Sequence, residues 1–267
     1  MTHPGGWPVL RTEWTKLITV RSTPWLAAGT VGLMVAAGAV AVWSLSSTAC
    51  TVPDACGDED LTRLALSGVY TGQILAVLTA VMAVTPEYTS GEIRTTLTAV
   101  PQRLRVFAAK ATVVLAVALA AGVLATLGSL AAAWMILPGR RFDGPGYVAP
   151  SLADAPTLRA AGGTVLYLAL LAALGFAVAM VFRSGPGAVA TVLAGLFILP
   201  QVAALMTDEE TRELIQRVSP MTAGLAIQAT RRLDALPIGP WQGLGVLTAY
   251  AAGGLVLALV LFLYRDA

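Results

Sequence analysis

One histidine, two cysteines and two lysines are the scarce reactive side chains of this 267-residue chain, and their positions bound the chemistry it can attempt. A serine hydrolase of the usual kind needs a base beside its nucleophile, yet His3 lies far from any serine that an apolar segment would hold. A metal centre needs clustered His, Cys or carboxylates, and no such set falls within the apolar segments. Serine–lysine chemistry has only Lys16 and Lys110 to draw on, and both stand among other cations, where a lysine anchors a helix end. The phosphate-binding loop requires a glycine-rich turn running into Lys and then Ser or Thr. Lys16 follows Glu13, Trp14 and Thr15, and Lys110 follows Phe107, Ala108 and Ala109, so neither matches. No catalytic residue, no metal ligand set and no bound cofactor is expected of this chain. If it moves a solute uphill, a separate subunit hydrolyses the nucleotide.

The elements that carry these residues are set by what is missing between them. Residues 24–45, 64–85, 111–137, 160–182, 184–206 and 235–264 contain no Asp, Glu, Lys, Arg or His. At about 1.5 Å per helical residue, about 20 residues cross the hydrocarbon core, so each stretch is long enough to span it. With 57% hydrophobic and 12% charged residues, the chain reads as an all-α integral membrane protein of six transmembrane helices. Carriers driven by protons or sodium keep ionisable groups at membrane depth. These spans keep none, and Glu87 stands just beyond the second.

With the N-terminus in the cytoplasm, six spans return the C-terminus to the same side, and the natural location is the plasma membrane. Nine cations then lie inside and eight outside, a weak contrast over the whole chain. It is sharper near the first helix: Arg11, Lys16 and Arg21 precede the first span and Arg63 alone follows it. Cys50 and Cys56 fall in the first outer loop, where a disulfide would close a short ring; two unlinked thiols are the other reading.

A single six-span domain over 1–267 is expected, with three smaller elements. Residues 1–23 carry Leu10, Trp14, Leu17, Ile18 and Arg21 at helical spacing, which predicts an interfacial helix on the inner leaflet. Residues 86–110 form a cytoplasmic loop in which Thr89 and Glu92 have the spacing of a capping box. The short helix after it puts Ile93, Leu97 and Val100 on one face and Arg94 and Thr98 on another, either as a docking helix for a cytoplasmic partner or as a plain connector. Residues 207–236 form an extracytoplasmic helical segment, opened by a second box from Thr207 to Glu210 and broken at Ser219-Pro220.

Within the spans, small residues repeat every four positions at Ala121, Ala125, Ser129 and Ala133, and again at Gly245, Ala249 and Gly253. Such runs let helices approach closely, as internal packing or as a homodimer seam. Gln73, Thr79 and Gln201 are candidates for a translocation surface, although each taken alone is better explained by hydrogen bonding between helices.

Glu13-Trp14-Thr15-Lys16-Leu17, then Arg21-Ser22-Thr23, and above all Pro86-Glu87-Tyr88-Thr89-Ser90-Gly91-Glu92-Ile93-Arg94 through Pro101, Arg105 and Lys110, resemble the permease subunit of ABC-2 type transporters, particularly the actinobacterial ones. Ser219-Pro220-Met221-Thr222-Ala223-Gly224 is similar to the family's pattern before the last span, and with the six spans the likeness covers essentially the whole chain. The resemblance implies an N-terminal elbow helix and a coupling helix between spans two and three. It also implies a homodimer or a pair with a homologous permease, served by ATP-binding cassette subunits that hold the ATP and magnesium. Glu87, Thr89, Glu92, Ile93, Arg94 and Leu97 would then be the partner-coupling residues of an exporter, with no part for nucleic acid. The rival reading is a membrane scaffold or regulatory protein that transports nothing.

Overall fold

The structure, a computed structural model, describes residues 6–47, 59–100, 102–137 and 150–265. Cys50 and Cys56 lie outside the described residues. Twelve α-helices run through the described chain, joined by turns and two short 3-10 segments, and no strand occurs among these residues. Six helical segments are long and apolar enough to cross a membrane, the pattern of a multi-pass membrane protein.

The first span is α2 (Ser22–Ser47), entered from α1 (Gly6–Thr19) through a turn at Val20 and Arg21. The second is not one straight helix. It is assembled from α3 (Leu61–Leu66), α4 (Val69–Met82) and α5 (Thr85–Ser90), and it ends several residues beyond the expected 64–85. Backbone contact explains its first break: a Cβ on Gly68 would stand 1.9 Å from the Met34 carbonyl oxygen, and one on Gly38 would stand 2.2 Å from that of Ala65. Two helices this close require glycine on both sides of the crossing.

After α6 (Glu92–Ala99), the third span α7 (Arg103–Ile136) starts eight residues before the expected 111. Its small-residue run Ala121, Ala125, Ser129 and Ala133 is buried, and α7 packs against α2 and α8. The fourth span, α8 (Ala155–Phe182), is the central one, in contact with α4, α7, α9 and α12, and it buries Tyr167, Leu168, Leu171 and Phe176 fully. The fifth, α9 (Gly185–Leu205), follows a turn in which Arg183 has φ 54. Pro186 and Pro156 lie in the first turns of α9 and α8, where no intrahelical donor is lost.

At the far end, α10 (Glu209–Val218) and α11 (Pro220–Leu225) precede the sixth span α12 (Pro240–Tyr264). The expected capping box at Thr207 is replaced by Asp208, whose carboxylate accepts the Thr211 backbone N–H at 2.9 Å and the Thr211 hydroxyl at 2.5 Å. A Cβ on Gly243 would meet the Ala223 carbonyl oxygen at 2.0 Å, so α12 is pressed onto α11. By contrast, Gly245 and Gly253 have open space beside them, so that small-residue run faces away from the rest of the described residues.

Asp60 fastens this end. Its carboxylate accepts the Thr230 N–H (2.5 Å) and hydroxyl (2.7 Å), the Arg231 N–H (3.1 Å) and the Arg63 N–H (3.0 Å). Arg159 donates to the Ala229 carbonyl at 2.6 Å, and buried Gln228 donates to Thr164 Oγ1 at 3.0 Å. The segment between α11 and α12 is thereby bound to α3 and α8.

Candidate functional site

Four charged side chains from three helices meet at the opposite end of the bundle. On α1, Val9, Glu13 and Leu17 recur every four residues and are buried, which makes Glu13 the one charged member of the inward stripe. Trp14 and Ile18, two of the residues expected to face the leaflet, are exposed, and it is the Val9 face that packs on α7.

Lys110 lies two turns inside α7 and only 3% of its side chain is exposed. Its Nζ donates to Glu13 Oε2 at 2.7 Å and to Glu87 Oε1 at 2.6 Å. The expectation that Lys110 is a helix-end anchor among other cations is therefore corrected. It is an interior lysine, and two carboxylates of 7% and 11% side-chain exposure make its burial tolerable.

Glu87 is held in the first turn of α5, just after Pro86, where helix amides favour a carboxylate. Lys16 approaches the same Oε1 at 3.5 Å and Thr96 Oγ1 on α6 at 3.4 Å, with 37% of its side chain exposed. Two acids and two bases thus cancel in net charge while joining α1, α5 and α7, with α6 reached through Lys16. One oxygen, Glu87 Oε2, is buried without a hydrogen-bond donor among the described residues. A cleft of about 470 Å³ opens beside the group, lined by Glu13, Lys16, Met82, Glu87, Glu92 and Thr95 among others.

Around this cluster, cations cover the ends of other helices. Arg103 donates to the carbonyls of Phe262 (3.1 Å), Leu263 (3.2 Å) and Arg265 (2.8 Å), at the C-terminus of α12. The Arg183 guanidinium stands 5.3 Å from the centre of the Tyr88 ring, and the Tyr88 hydroxyl meets the Met180 sulfur at 3.6 Å. These contacts tie α5 to the end of α8.

Between α5 and α6 the chain turns at Gly91, whose φ of 75 is a left-handed conformation suited to glycine. The capping box expected of Thr89 and Glu92 does not form. Thr89 belongs to α5, with its hydroxyl donating back to the Pro86 carbonyl at 3.0 Å, and Glu92 is already the first residue of α6. On α6, Ile93 is buried and Leu97 packs on the core, whereas Glu92, Arg94, Thr95 and Thr98 are exposed. The face available to another protein is the polar one.

The three polar span residues have separate surroundings. Gln73 is fully buried, its Oε1 accepting the Tyr167 hydroxyl at 2.6 Å while its Nε2 lies 3.3 Å from the Met221 sulfur. Thr79 returns its hydroxyl to the Leu75 carbonyl at 2.7 Å and faces Thr30, Ala121 and Leu168. Gln201 is exposed on α9, immediately after the interior Pro200. The structure does not bring these three together.

The chain matches no family model and no curated protein. Its function must be argued from its own geometry. Sequence reasoning overlooked Glu13, Lys16 and Lys110 as a unit; the available signal was Glu13 at four-residue spacing between Val9 and Leu17.

Proposed function

We propose that this chain is the membrane-spanning permease subunit of an ATP-driven ABC exporter of the ABC-2 type. It would act as a homodimer or beside a homologous permease in the plasma membrane, with both termini cytoplasmic. A separate ATP-binding cassette subunit would bind ATP and magnesium and hydrolyse the nucleotide. In this reading α1 is the elbow helix at the leaflet surface, and α6 is the coupling helix.

The observation that carries the proposal is the cluster of Glu13, Lys16, Glu87 and Lys110. A force applied to the exposed polar face of α6 reaches α5 through the single turn at Gly91. From Glu87 it reaches α7 and α1 through buried, charge-assisted hydrogen bonds, which are short and directional. Such a joint transmits displacement where a loose polar loop would absorb it. Glu92, Arg94, Thr95 and Thr98 form the contact with the ATPase, while Ile93 and Leu97 fasten the helix to the spans.

The test is reconstitution with the cognate ATPase, followed by measurement of ATP turnover and solute movement. Glu92→Lys and Thr98→Arg should weaken the stimulation of turnover and abolish transport while the permease still inserts. Unchanged coupling in both would remove α6 from the interface.

A further inference from the structure

On the other side of α1 from the charge cluster, an apolar groove of about 340 Å³ runs between α1 and α7, lined by Leu10, Arg11, Trp14, Thr112, Val113 and Ala116. That volume falls in the range of small-molecule sites. Its polar groups are few. The Thr112 hydroxyl is committed to the Ala108 carbonyl at 2.8 Å, which leaves the Arg11 guanidinium and the Trp14 indole N–H. Neither has a partner among the described side chains, and Trp14 is 43% exposed.

An occupant must therefore have an apolar body and an acceptor-rich, negative head. On α7, exposed Leu104 lies two turns before Thr112 and exposed Leu119 three residues after Ala116, so this face of α7 would meet lipid once the chain spans a membrane. A guanidinium fork matches two oxygens of a phosphate, and an indole is at home where headgroup meets acyl chain.

Charge decides between headgroups. A zwitterionic lipid would bring an ammonium group to a groove with no carboxylate in its lining, since Glu13 is turned inward to Lys110. An anionic lipid brings no such group. We propose that this groove is a binding site for an anionic phospholipid of the leaflet at the Glu87 end, with one acyl chain against Leu10, Val113 and Ala116 and the phosphate on Arg11. The site requires only that the chain spans a membrane, and it stands or falls apart from transport.

The experiment is native mass spectrometry of the full chain released from bilayers that contain phosphatidylglycerol and phosphatidylcholine with matched acyl chains. The wild type should retain one phosphatidylglycerol in preference to phosphatidylcholine. Arg11→Gln should lower that retention about five-fold, the worth of one cation at an anionic surface. Arg21→Gln, which changes an exposed cation outside the groove, should leave it unaltered. Ala116→Trp, which fills the groove, should expel lipid while the melting temperature holds. Equal retention in wild type and Arg11→Gln would overturn the site, and so would an equal loss in Arg21→Gln, which would mark diffuse attraction. A change of oligomeric state in Ala116→Trp with lipid retention intact would assign the groove to a second copy of the chain and overturn it too.

Discussion

Lys110 and Glu87 are 23 residues apart in the chain and 2.6 Å apart in space, joined by a buried hydrogen bond between α7 and α5. The same ammonium reaches Glu13, 97 residues away, at 2.7 Å. This relationship turns three helices that would otherwise slide on apolar contacts into one jointed unit.

Removing the shared cation should cost more than removing it together with both of its carboxylates. Lys110→Met leaves Glu13 buried without a cation and Glu87 with only the longer, part-exposed contact to Lys16, and should destabilise the protein by about 3–5 kcal/mol. Adding Glu13→Gln and Glu87→Gln to that variant should restore most of the loss. Thermal unfolding in detergent, read by intrinsic fluorescence, measures both.

Lys16 should behave differently, because more than a third of its side chain is exposed. Lys16→Ala should lower stability by no more than about 1 kcal/mol. Its effect should appear instead in ATP turnover per solute moved, since Lys16 reaches both Glu87 and Thr96. A large stability loss with unchanged coupling would reverse the two roles.

The glycine crossing gives a paired test. Gly68→Ala should prevent α2 and α4 from meeting, because the added carbon would occupy the space of the Met34 carbonyl. Gly32→Ala, with nothing within 4 Å, should be tolerated. Yield of monodisperse protein on size-exclusion chromatography separates the two.

Tyr167→Phe removes the hydroxyl that Gln73 Oε1 accepts in the core. The expected loss is about 1–2 kcal/mol, that of a buried acceptor left without its donor. Unfolding followed in detergent, with Tyr88→Phe as the comparison nearer the surface, checks it.

Asp208 sets a pH dependence confined to α10. The hydrogen bonds from the Thr211 hydroxyl and N–H hold its pKa below the ordinary value of 3.8. Its cap is therefore fully present above pH 3.8 and is lost as pH falls through the lowered folded value. Amide protection in α10, corrected for the intrinsic pH dependence of exchange, should fall more steeply through that acidic window in the wild type than in Asp208→Ala, which lacks the cap throughout and keeps only the Arg212–Glu209 and Arg217–Glu213 pairs.

Six apolar runs were legible in sequence because burial in lipid demands length and the absence of charge, both local properties. The course of the second span was not, since its break depends on Gly68 meeting the Met34 carbonyl from another helix. The Ile93 and Leu97 face of α6 was legible as a helical repeat, but which side it turned was not. Thr89 and Glu92 matched a capping pattern, yet Gly91 between them takes a left-handed turn that ends one helix and starts the next. Lys110 was misread for the most general reason. A lysine's burial depends on carboxylates supplied by distant segments, and nothing in residues 103–110 announces Glu13.

The most direct measurement is purification of the chain from its native membrane in mild detergent, with identification of its partners and an ATPase assay on the eluate. The proposed function predicts a stoichiometric cassette ATPase that is retained by the wild type and lost in a variant carrying Glu92→Lys and Thr98→Arg. A chain that purifies reproducibly with no ATPase would contradict the permease reading and return it to a scaffold or regulatory protein.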